Sequence, residues 1–176
     1  MKEPHNWMKM WDGIMEMRNM HIAAVDTMGC EVQKKNDGYS KDDKAYHVLI
    51  SLMLSAQTKD EVTHATTQYM VDNHNLSVKT ILKTPEKTLN QWIAKVGFHN
   101  NKAKYIKKTT EILAEKHKGK VPSNYDDLIA LPGVGPKMAH LVLQVAYNDV
   151  QGVSVDTHVH RISGRLGWSK KANTPG

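Results

Sequence analysis

The chain of 176 residues has a single cysteine, Cys30. One cysteine excludes an intramolecular disulfide and a cysteine cluster for zinc or for iron and sulfur, so the composition favours an intracellular protein. No apolar run approaches the roughly 20 residues that cross a bilayer, and the N-terminal residues lack the apolar core of a secretory signal. The alternating pattern of a half-buried strand is also missing. These absences predict an all-α protein with no membrane partner.

Positive charge is the main bias in the composition. Lysine and arginine number 24 against 18 aspartates and glutamates, which gives a net charge of +6 and a pI of about 9.3. This balance favours a polyanionic partner such as nucleic acid, although a basic surface without any partner has the same composition. With 40% apolar residues, the chain can build the core of one domain, or of one domain with part of another.

Apolar spacing predicts a series of helices. Residues 7–28 carry large apolar side chains mostly at three- and four-residue intervals, which is typical of an amphipathic helix. The polar residues 31–44 predict a linker or long loop, and residues 46–56 are apolar on nearly all sides, as in a buried central helix. Further helices are predicted over residues 59–74, 77–83, 85–95, 100–118, 125–131, 136–147 and 157–166.

Two of these helices carry specific expectations. Over residues 100–118, the spacing predicts an outward-facing set of lysines: Lys102, Lys104, Lys107, Lys108 and Lys116. The opposite face is predicted to pack in the core: Ala103, Ile106, Leu113 and Ala114. Asn124 or Ser123 is predicted to cap the helix over residues 125–131, and Asp156 or Thr157 to cap the last helix.

The turn LPGVG, residues 131–135, lies between two predicted helices. Gly133 and Gly135 can adopt positive φ and lack a Cβ, so the backbone N–H groups from Gly133 through Val134 to Gly135 can face outward and approach a phosphate. Pro136 suits the first position of the next helix, whose free N–H groups and dipole also attract an anion. The pattern favours a phosphate-backbone contact that is blind to base sequence, with a tight interhelical turn as the alternative.

Lys137 follows in the first turn of that helix, where the helix dipole disfavours a second positive charge. A neutral amine is a nucleophile, so a lysine here suits attack on a sugar C1′ and strand cleavage by β-elimination through the resulting imine. Asp156 supplies a carboxylate that can stabilise the positive charge that develops as a glycosidic bond breaks. The alternatives are a phosphate counter-charge for Lys137 and a helix N-cap for Asp156.

The nearby histidines do not form a metal-binding pattern. His158 and His160 do not share a helix face, and no carboxylate or cysteine completes a ligand set with His140. We therefore expect no metal, and we interpret His140 as a candidate DNA contact and Arg161, His158 and His160 as residues that face phosphate or solvent near the start of the last helix.

Four segments together resemble a known family. The stretch LPGVGPKMAHLVL is followed by VDTHVHRI and preceded by LMLSAQTKD, residues 52–60, and VGFHNNKAKYI, residues 96–106. In this order they resemble the endonuclease III family of DNA glycosylases, within the helix-hairpin-helix and Gly/Pro-Asp superfamily, over most of residues 45–168. The segment GPKMAH is more similar to the eukaryotic members than to the bacterial ones.

The resemblance implies a fold, an activity and site residues. It implies a helix-hairpin-helix glycosylase that removes oxidised pyrimidines in base excision repair and nicks the abasic site, with Lys137 as the Schiff-base lysine and Asp156 as the catalytic aspartate. The partner would be double-stranded DNA, from which the damaged nucleotide is flipped out. Gln57 matches the residue that fills the vacated stack, and Phe98 matches an apolar wedge position. For these two, a helix-end amide and a core aromatic are the alternatives.

The resemblance also implies a cofactor that this sequence cannot hold. Family members carry four cysteines for a [4Fe–4S] cluster beyond the segment that corresponds to Gly176, so we expect no cofactor in this chain and a C-terminal truncation. We expect the N-terminal helix, residues 1–30, to belong to an incomplete second domain together with residues 149–176. Residues 31–148 would form the helical bundle.

Two other classes of function stay open beside the enzyme. One is a non-catalytic DNA-binding remnant, or an inactive truncated isoform, and the other is a generic hairpin module of a replication or recombination assembly. For the enzyme, the resemblance implies a monomer in the nucleus and the mitochondrion.

Overall fold

The structure, a computed structural model, describes residues 3–35 and 38–169. Every regular element in these two ranges is a helix, which confirms the predicted all-α class. The chain divides into two compact units. Unit 1 combines residues 1–23 with residues 153–176, and unit 2 comprises residues 24–152.

Unit 2 holds the larger number of helices. In chain order these are α2 (Ala24–Met28), a 3₁₀ helix (Cys30–Lys35), α3 (Lys41–Ser55), α4 (Asp60–His74), α5 (Val78–Lys83), α6 (Glu86–Trp92), α7 (His99–Lys116), α8 (Tyr125–Ile129) and α9 (Pro136–Tyr147). The predicted bounds of α9 are confirmed, and those of the other helices of residues 46–131 shift by up to five residues.

Helix α3 lies at the centre of the hydrophobic core of unit 2. All residues from Ala45 to Leu54 are buried, as the apolar pattern predicts. Two polar groups among them have partners: the Tyr46 hydroxyl lies 2.7 Å from Thr110 Oγ1, and His47 Nε2 lies 2.7 Å from the Leu76 carbonyl oxygen. Each fully buried leucine or isoleucine contributes roughly 1.5–3 kcal/mol. The packing of α7 and α9 against α3 therefore fixes the helices that carry the candidate site.

The N-terminal segment differs from its prediction. Residues 7–28 form two helices, α1 (Trp7–Met20) and α2, because His21 adopts an extended conformation with φ −137° and ψ 130°. The His21 carbonyl accepts a hydrogen bond from Arg18 Nη1 at 3.0 Å, which closes the end of α1. The break separates a helix of unit 1 from a helix of unit 2.

The predicted linker over residues 31–44 is largely structured. The 3₁₀ helix packs against α3 and α9, and Gln33 is fully buried. Ser40 caps α3 by accepting the Asp43 N–H at 3.1 Å. Unit 2 runs from residue 24 to residue 152, and the assignment of residues 31–148 to the helical bundle of the family stays a prediction.

The predicted lysine face of α7 is confirmed for Lys104, Lys108 and Lys116, which are exposed, and is wrong for Lys102. Lys102 is not an outward-facing residue, since only 7% of its surface is exposed. Lys107 is also half-buried, and its Nζ donates to the carbonyls of Ile81, Leu82 and Thr84 at the end of α5. Both lysines leave the surface because the C-terminal end of another helix supplies oxygen acceptors for the ammonium group.

Unit 1 contains α1 and α10 (Thr157–Arg165), and neither helix has a buried residue. The rings of Trp11 and Trp168 lie 6.4 Å apart within this unit. Across the described ranges, no helix has both the length and the apolar character that a membrane crossing requires.

Candidate nucleic-acid interface

The turn between α8 and α9 is anchored to α7. Gly133 has φ +81°, and a Cβ at this position would lie 3.1 Å from the Cβ and Cγ of Tyr105. Thr109 Oγ1 on α7 donates to the Pro132 carbonyl at 2.9 Å. Glycine is therefore favoured at position 133 by both its conformation and its closeness to Tyr105. Because these contacts hold the turn against α7, its position is fixed relative to the core.

The backbone of this turn differs in part from the prediction. The Val134 N–H donates to the Leu131 carbonyl at 3.1 Å, so this N–H does not face outward. The Val134 side chain is buried, so Val134 stabilises the turn. Gly135 is the N-cap residue of α9, with open space where a Cβ would lie. Pro136 occupies the predicted first-turn position, and α9 thus begins at a solvent-facing end with the positive pole of its dipole.

Lys137 is exposed in the first turn of α9, as predicted. Cys30, in the 3₁₀ helix that packs on α9, lies within its electrostatic reach. Burial raises the pKa of the Cys30 thiol to about 11, with a further contribution from Glu31, and the charge of Lys137 acts in the opposite direction. One neighbour of Lys137 in this unit is thus a thiol that is protonated at neutral pH.

Gln57 and Phe98 project from two loops that touch each other. Both are exposed and both are in the left-handed region, with φ 54° and φ 56°. We call residues 56–58 and 96–98 the paired loops. The Gly97 N–H donates to Thr58 Oγ1 at 3.2 Å, and a Cβ on Gly97 would lie 2.7 Å from the Gln57 carbonyl oxygen. Left-handed non-glycine residues cost about 1–3 kcal/mol each and concentrate at functional sites.

Lys102 joins the paired loops to the core. Its Nζ donates to the Leu54 carbonyl at 2.7 Å, the Ala56 carbonyl at 2.6 Å and Thr58 Oγ1 at 3.1 Å. Burial lowers the pKa of Lys102 to about 8, while the three oxygen acceptors favour the charged ammonium. The sequence does contain one signal for this residue, because Lys102 shares a helix face with Ile106 and Leu113.

A cavity of about 260 Å³ connects the paired loops to the turn. Its lining includes three predicted site residues, Gln57, Phe98 and Gly133, and Met138 next to Lys137 along the chain. The remaining lining residues are Met53, Ala56, Asn101, Lys102 and Tyr105. A larger cavity of about 570 Å³ lies between α3, α5 and α7 and has none of the predicted residues in its lining. Size alone would thus select a cavity that has no predicted site residue in its lining.

His140 packs inside unit 2. Its ring stacks on Tyr125, with centroids 4.7 Å apart, and its Cε1 lies 2.6 Å from where a Cβ on Gly152 would be. The ring is half-buried, so the structure gives it a packing role. Its contact with DNA stays a prediction.

Asp156 is the N-cap of α10 in unit 1, as predicted. Its Oδ1 accepts the N–H of His158 at 2.9 Å and the N–H of Val159 at 2.7 Å. The cap fixes the carboxylate at the start of the helix. His158 and Arg161 are exposed, and Arg161 Nη2 lies 3.1 Å from His158 Nδ1. The pairing of Asp156 with Lys137 stays a prediction.

A metal or an iron–sulfur cluster does not fit these residues. Within residues 3–35 and 38–169, no group of three or more histidine, cysteine, aspartate or glutamate side chains can hold a metal ion. A [4Fe–4S] cluster takes four cysteine thiolates, and the sequence has Cys30 alone. No step of the chemistry below involves such a group.

The chain is similar to known proteins over most of its length. Residues 50–176 match the family model described as "HhH-GPD superfamily base excision DNA repair protein". The chain is 49% identical to the "Endonuclease III-like protein 1" of Gallus gallus over 170 residues, which are 96% of this chain and 59% of that protein. It is 44% identical to the "Endonuclease III homolog 1, chloroplastic" of Arabidopsis thaliana over 171 residues, 97% of this chain and 45% of that protein.

A solved structure gives the same result for the fold. The "Trapped Endonuclease III-DNA Covalent Intermediate: Estranged-Adenine Complex" matches with a TM-score of 0.66 and 31% identity, covering 85% of this chain and 72% of that one. The chain spans about half the length of the two relatives above. By sequence and by fold, it belongs to the helix-hairpin-helix and Gly/Pro-Asp superfamily of base excision DNA repair proteins, among the endonuclease III relatives.

Proposed function

We propose that this protein is a bifunctional DNA glycosylase and abasic-site lyase for oxidised pyrimidines. The observation that carries the proposal is the exposed Lys137, which follows an anchored turn whose Gly133 lines one cavity with Gln57 and Phe98. A nucleophile, a phosphate-binding turn and two projecting side chains are thus presented by the same unit. A related solved structure is described as a trapped covalent intermediate of endonuclease III with DNA, which supports a covalent step here.

The turn and the start of α9 bind the phosphate backbone in this proposal. Exposed N–H groups at a helix start and the positive end of the dipole attract phosphate without reading bases. The net charge of +6 adds a long-range attraction for DNA that falls with salt. The phosphate contacts therefore position the protein on the DNA without distinguishing lesions. Recognition of the lesion comes from contacts with the flipped base.

The chemistry begins with the Lys137 amine. Its nitrogen lone pair forms a bond to C1′ of the flipped nucleotide, and the bond between C1′ and the base breaks with its electron pair leaving on the base. The proton lost by the amine ends on the departing base. The Asp156 carboxylate, held by its cap, stabilises the positive charge that builds on the sugar.

Strand cleavage follows from the imine formed when the sugar ring opens. A base removes a proton from C2′, and the C3′–O bond then breaks as the 3′ phosphate leaves. Water hydrolyses the imine and regenerates Lys137. The chain acts on one nucleotide at a time, so we propose a monomer, active on nuclear and mitochondrial DNA. We also propose that unit 1 corresponds to the second domain of the family.

Borohydride trapping tests the proposal. Sodium borohydride reduces an imine to a stable amine, so incubation with a duplex that carries one thymine glycol should give a covalent protein–DNA band. We expect the band to disappear in Lys137→Ala and to weaken strongly in Asp156→Asn, which keeps a capping side chain and removes the charge. Lys104→Ala, an exposed lysine on α7, is the control.

The result also separates the competing functions. Binding that weakens with salt, with no covalent band in the wild type, would favour a non-catalytic DNA-binding protein. A band that persists in Lys137→Ala would refute the assignment of the nucleophile.

A further inference from the structure

Lys102 is a buried lysine, with 7% of its surface exposed. Three donor–acceptor contacts surround its ammonium group, two to the main chain at the C-terminal end of α3 and one to Thr58 Oγ1. An ammonium group has three N–H donors, so these contacts match its full capacity. A helix C-terminus carries partial negative charge and unpaired carbonyls, and a lysine there satisfies both.

Lys102 contacts the residues immediately before and after Gln57 in the chain. Ala56 and Thr58, on either side of Gln57, both accept a hydrogen bond from Lys102 Nζ. Gln57 is left-handed, with φ 54°, in the turn that follows the end of α3 at Ser55, and the Thr58 N–H closes this turn by donating to the Ser55 carbonyl at 3.1 Å. The ammonium group therefore holds the backbone on both sides of the residue that projects.

The main chain of Lys102 contacts Phe98, in the second of the paired loops. The Lys102 N–H donates to the Phe98 carbonyl at 3.1 Å in the first turn of α7. Thr58 Oγ1, which accepts from Lys102, also accepts the Gly97 N–H next to Phe98. Lys102 thus contacts both paired loops: its side chain contacts residues 56–58, and its main chain contacts residues 96–98.

We propose that Lys102 is a positioning residue that holds Gln57 and Phe98 in the projecting geometry in which both enter a DNA duplex at an extruded nucleotide. The inference rests on the proposed function, which needs an extruded nucleotide, and on the stack-filling and wedge roles that the resemblance implies for Gln57 and Phe98, and it adds the group that aligns these two side chains. Lys102 does not touch the reacting atoms. A misplacement of about 1 Å caused by a change far from the reacting atoms costs on the order of 100-fold in the rate of the reaction. We expect a loss of this order in the rate of trapping when Gln57 and Phe98 are misaligned.

The test measures insertion without chemistry. The probe is a duplex that carries a tetrahydrofuran abasic analogue, which cannot form an imine, with 2-aminopurine as the opposite base. Unstacking of 2-aminopurine raises its fluorescence. We expect saturating wild-type protein to raise the signal, and Lys102→Met to lose most of this rise while its dissociation constant changes less. Lys102→Arg, which keeps charge and donors, should restore at least half of it.

Two further variants keep the test decisive. Lys104→Met removes an exposed charge on the same helix, so it should weaken binding and leave the signal at saturation unchanged. Thr58→Ala removes the oxygen shared by Lys102 and Gly97, and we expect it to lower the signal by a smaller amount than Lys102→Met. If Lys102→Met does not fold by circular dichroism, Lys102→Arg and Thr58→Ala decide the question.

The outcomes distinguish this inference from the proposed function. If the wild type gives the fluorescence rise and no borohydride adduct, the enzyme proposal fails, and loss of the rise in Lys102→Met still supports positioning. If the wild type forms the adduct and a folded Lys102→Met gives a full rise with unchanged trapping, the role of Lys102 is overturned. A wild type without any fluorescence change also overturns it, because nothing is then inserted for Lys102 to position.

Discussion

Replacement of Gly133 by alanine should damage the anchored turn more than the same replacement at a matched glycine. Gly133 has φ +81°, and a new Cβ would lie 3.1 Å from the Cβ and Cγ of Tyr105. Gly119, also in unit 2, has φ +77°, and its nearest atom to a new Cβ is a Val78 methyl at 4.0 Å. Both variants suffer the strain of the left-handed region, and only Gly133→Ala also meets a neighbour.

The two contributions can be separated in magnitude. A left-handed alanine costs about 1–2 kcal/mol relative to glycine. Tyr105 is 45% exposed, so its ring atoms can move aside at the cost of an off-rotamer side chain, about 0.5–1.5 kcal/mol, whereas its Cβ is fixed by the backbone of α7. The bond from Thr109 to the Pro132 carbonyl opposes movement of the turn itself. We expect Gly133→Ala to lower the free energy of unfolding by about 1 kcal/mol more than Gly119→Ala does.

Equilibrium urea unfolding followed by far-ultraviolet circular dichroism measures this difference. Tyr105→Ala removes Cγ and Cδ2, which are two of the three atoms near the new Cβ. The additional loss of stability caused by Gly133→Ala should therefore be smaller when it is made in the Tyr105→Ala background. Affinity for an abasic duplex should fall in Gly133→Ala and stay unchanged in Gly119→Ala. Equal losses of stability and affinity in the two glycine variants would refute the reasoning.

Two further predictions concern buried titratable groups in unit 2. Burial lowers the pKa of His47 below its ordinary value of 6.5, although the Leu76 carbonyl and Asp43 favour the charged form. The unfolded chain then binds a proton at higher pH than the folded one, so the free energy of unfolding should fall as pH drops below about 6.5, with a slope of at most about 1.4 kcal/mol per pH unit. The His47→Gln variant should lose this slope in urea titrations between pH 7.5 and 5.5, and an identical slope in both proteins would contradict it. Cys30, with its pKa raised from 9.0 to about 11, should react with iodoacetamide at pH 8 about 100-fold more slowly than an unhindered thiol, as followed by mass spectrometry, and a rate close to that of free cysteine would refute its burial.

Much of the fold follows from local pattern in the sequence. Helix α3 is apolar on every side and is buried, and α9 begins at Pro136 as its proline and the preceding glycine predict. Asp156 caps α10 because a carboxylate before the first turn binds free N–H groups. Each of these features depends on residues within a few positions of one another, which is why sequence alone predicts them.

The features that the sequence did not reveal depend on distant residues. The acceptors of Lys102 lie 44 to 48 positions earlier in the chain, so the local sequence places Lys102 on the helix face of Ile106 and Leu113 but does not show which groups accept its hydrogen bonds. Tyr105 covers Gly133 from another helix, and Thr109 holds Pro132 in the same way. The predicted outward N–H of Val134 is instead bonded to Leu131, because the turn closes on itself.

Identification of the amino acid that carries the reduced sugar is the most direct test of the central claim. The wild-type chain would be trapped on a thymine glycol duplex with borohydride, digested with trypsin and nuclease, and sequenced by mass spectrometry. The account predicts the deoxyribose remnant on Nζ of Lys137, in a peptide whose tryptic cleavage at that residue is blocked. Attachment to any other amine, including the buried Lys102 or the N-terminus, would contradict the account.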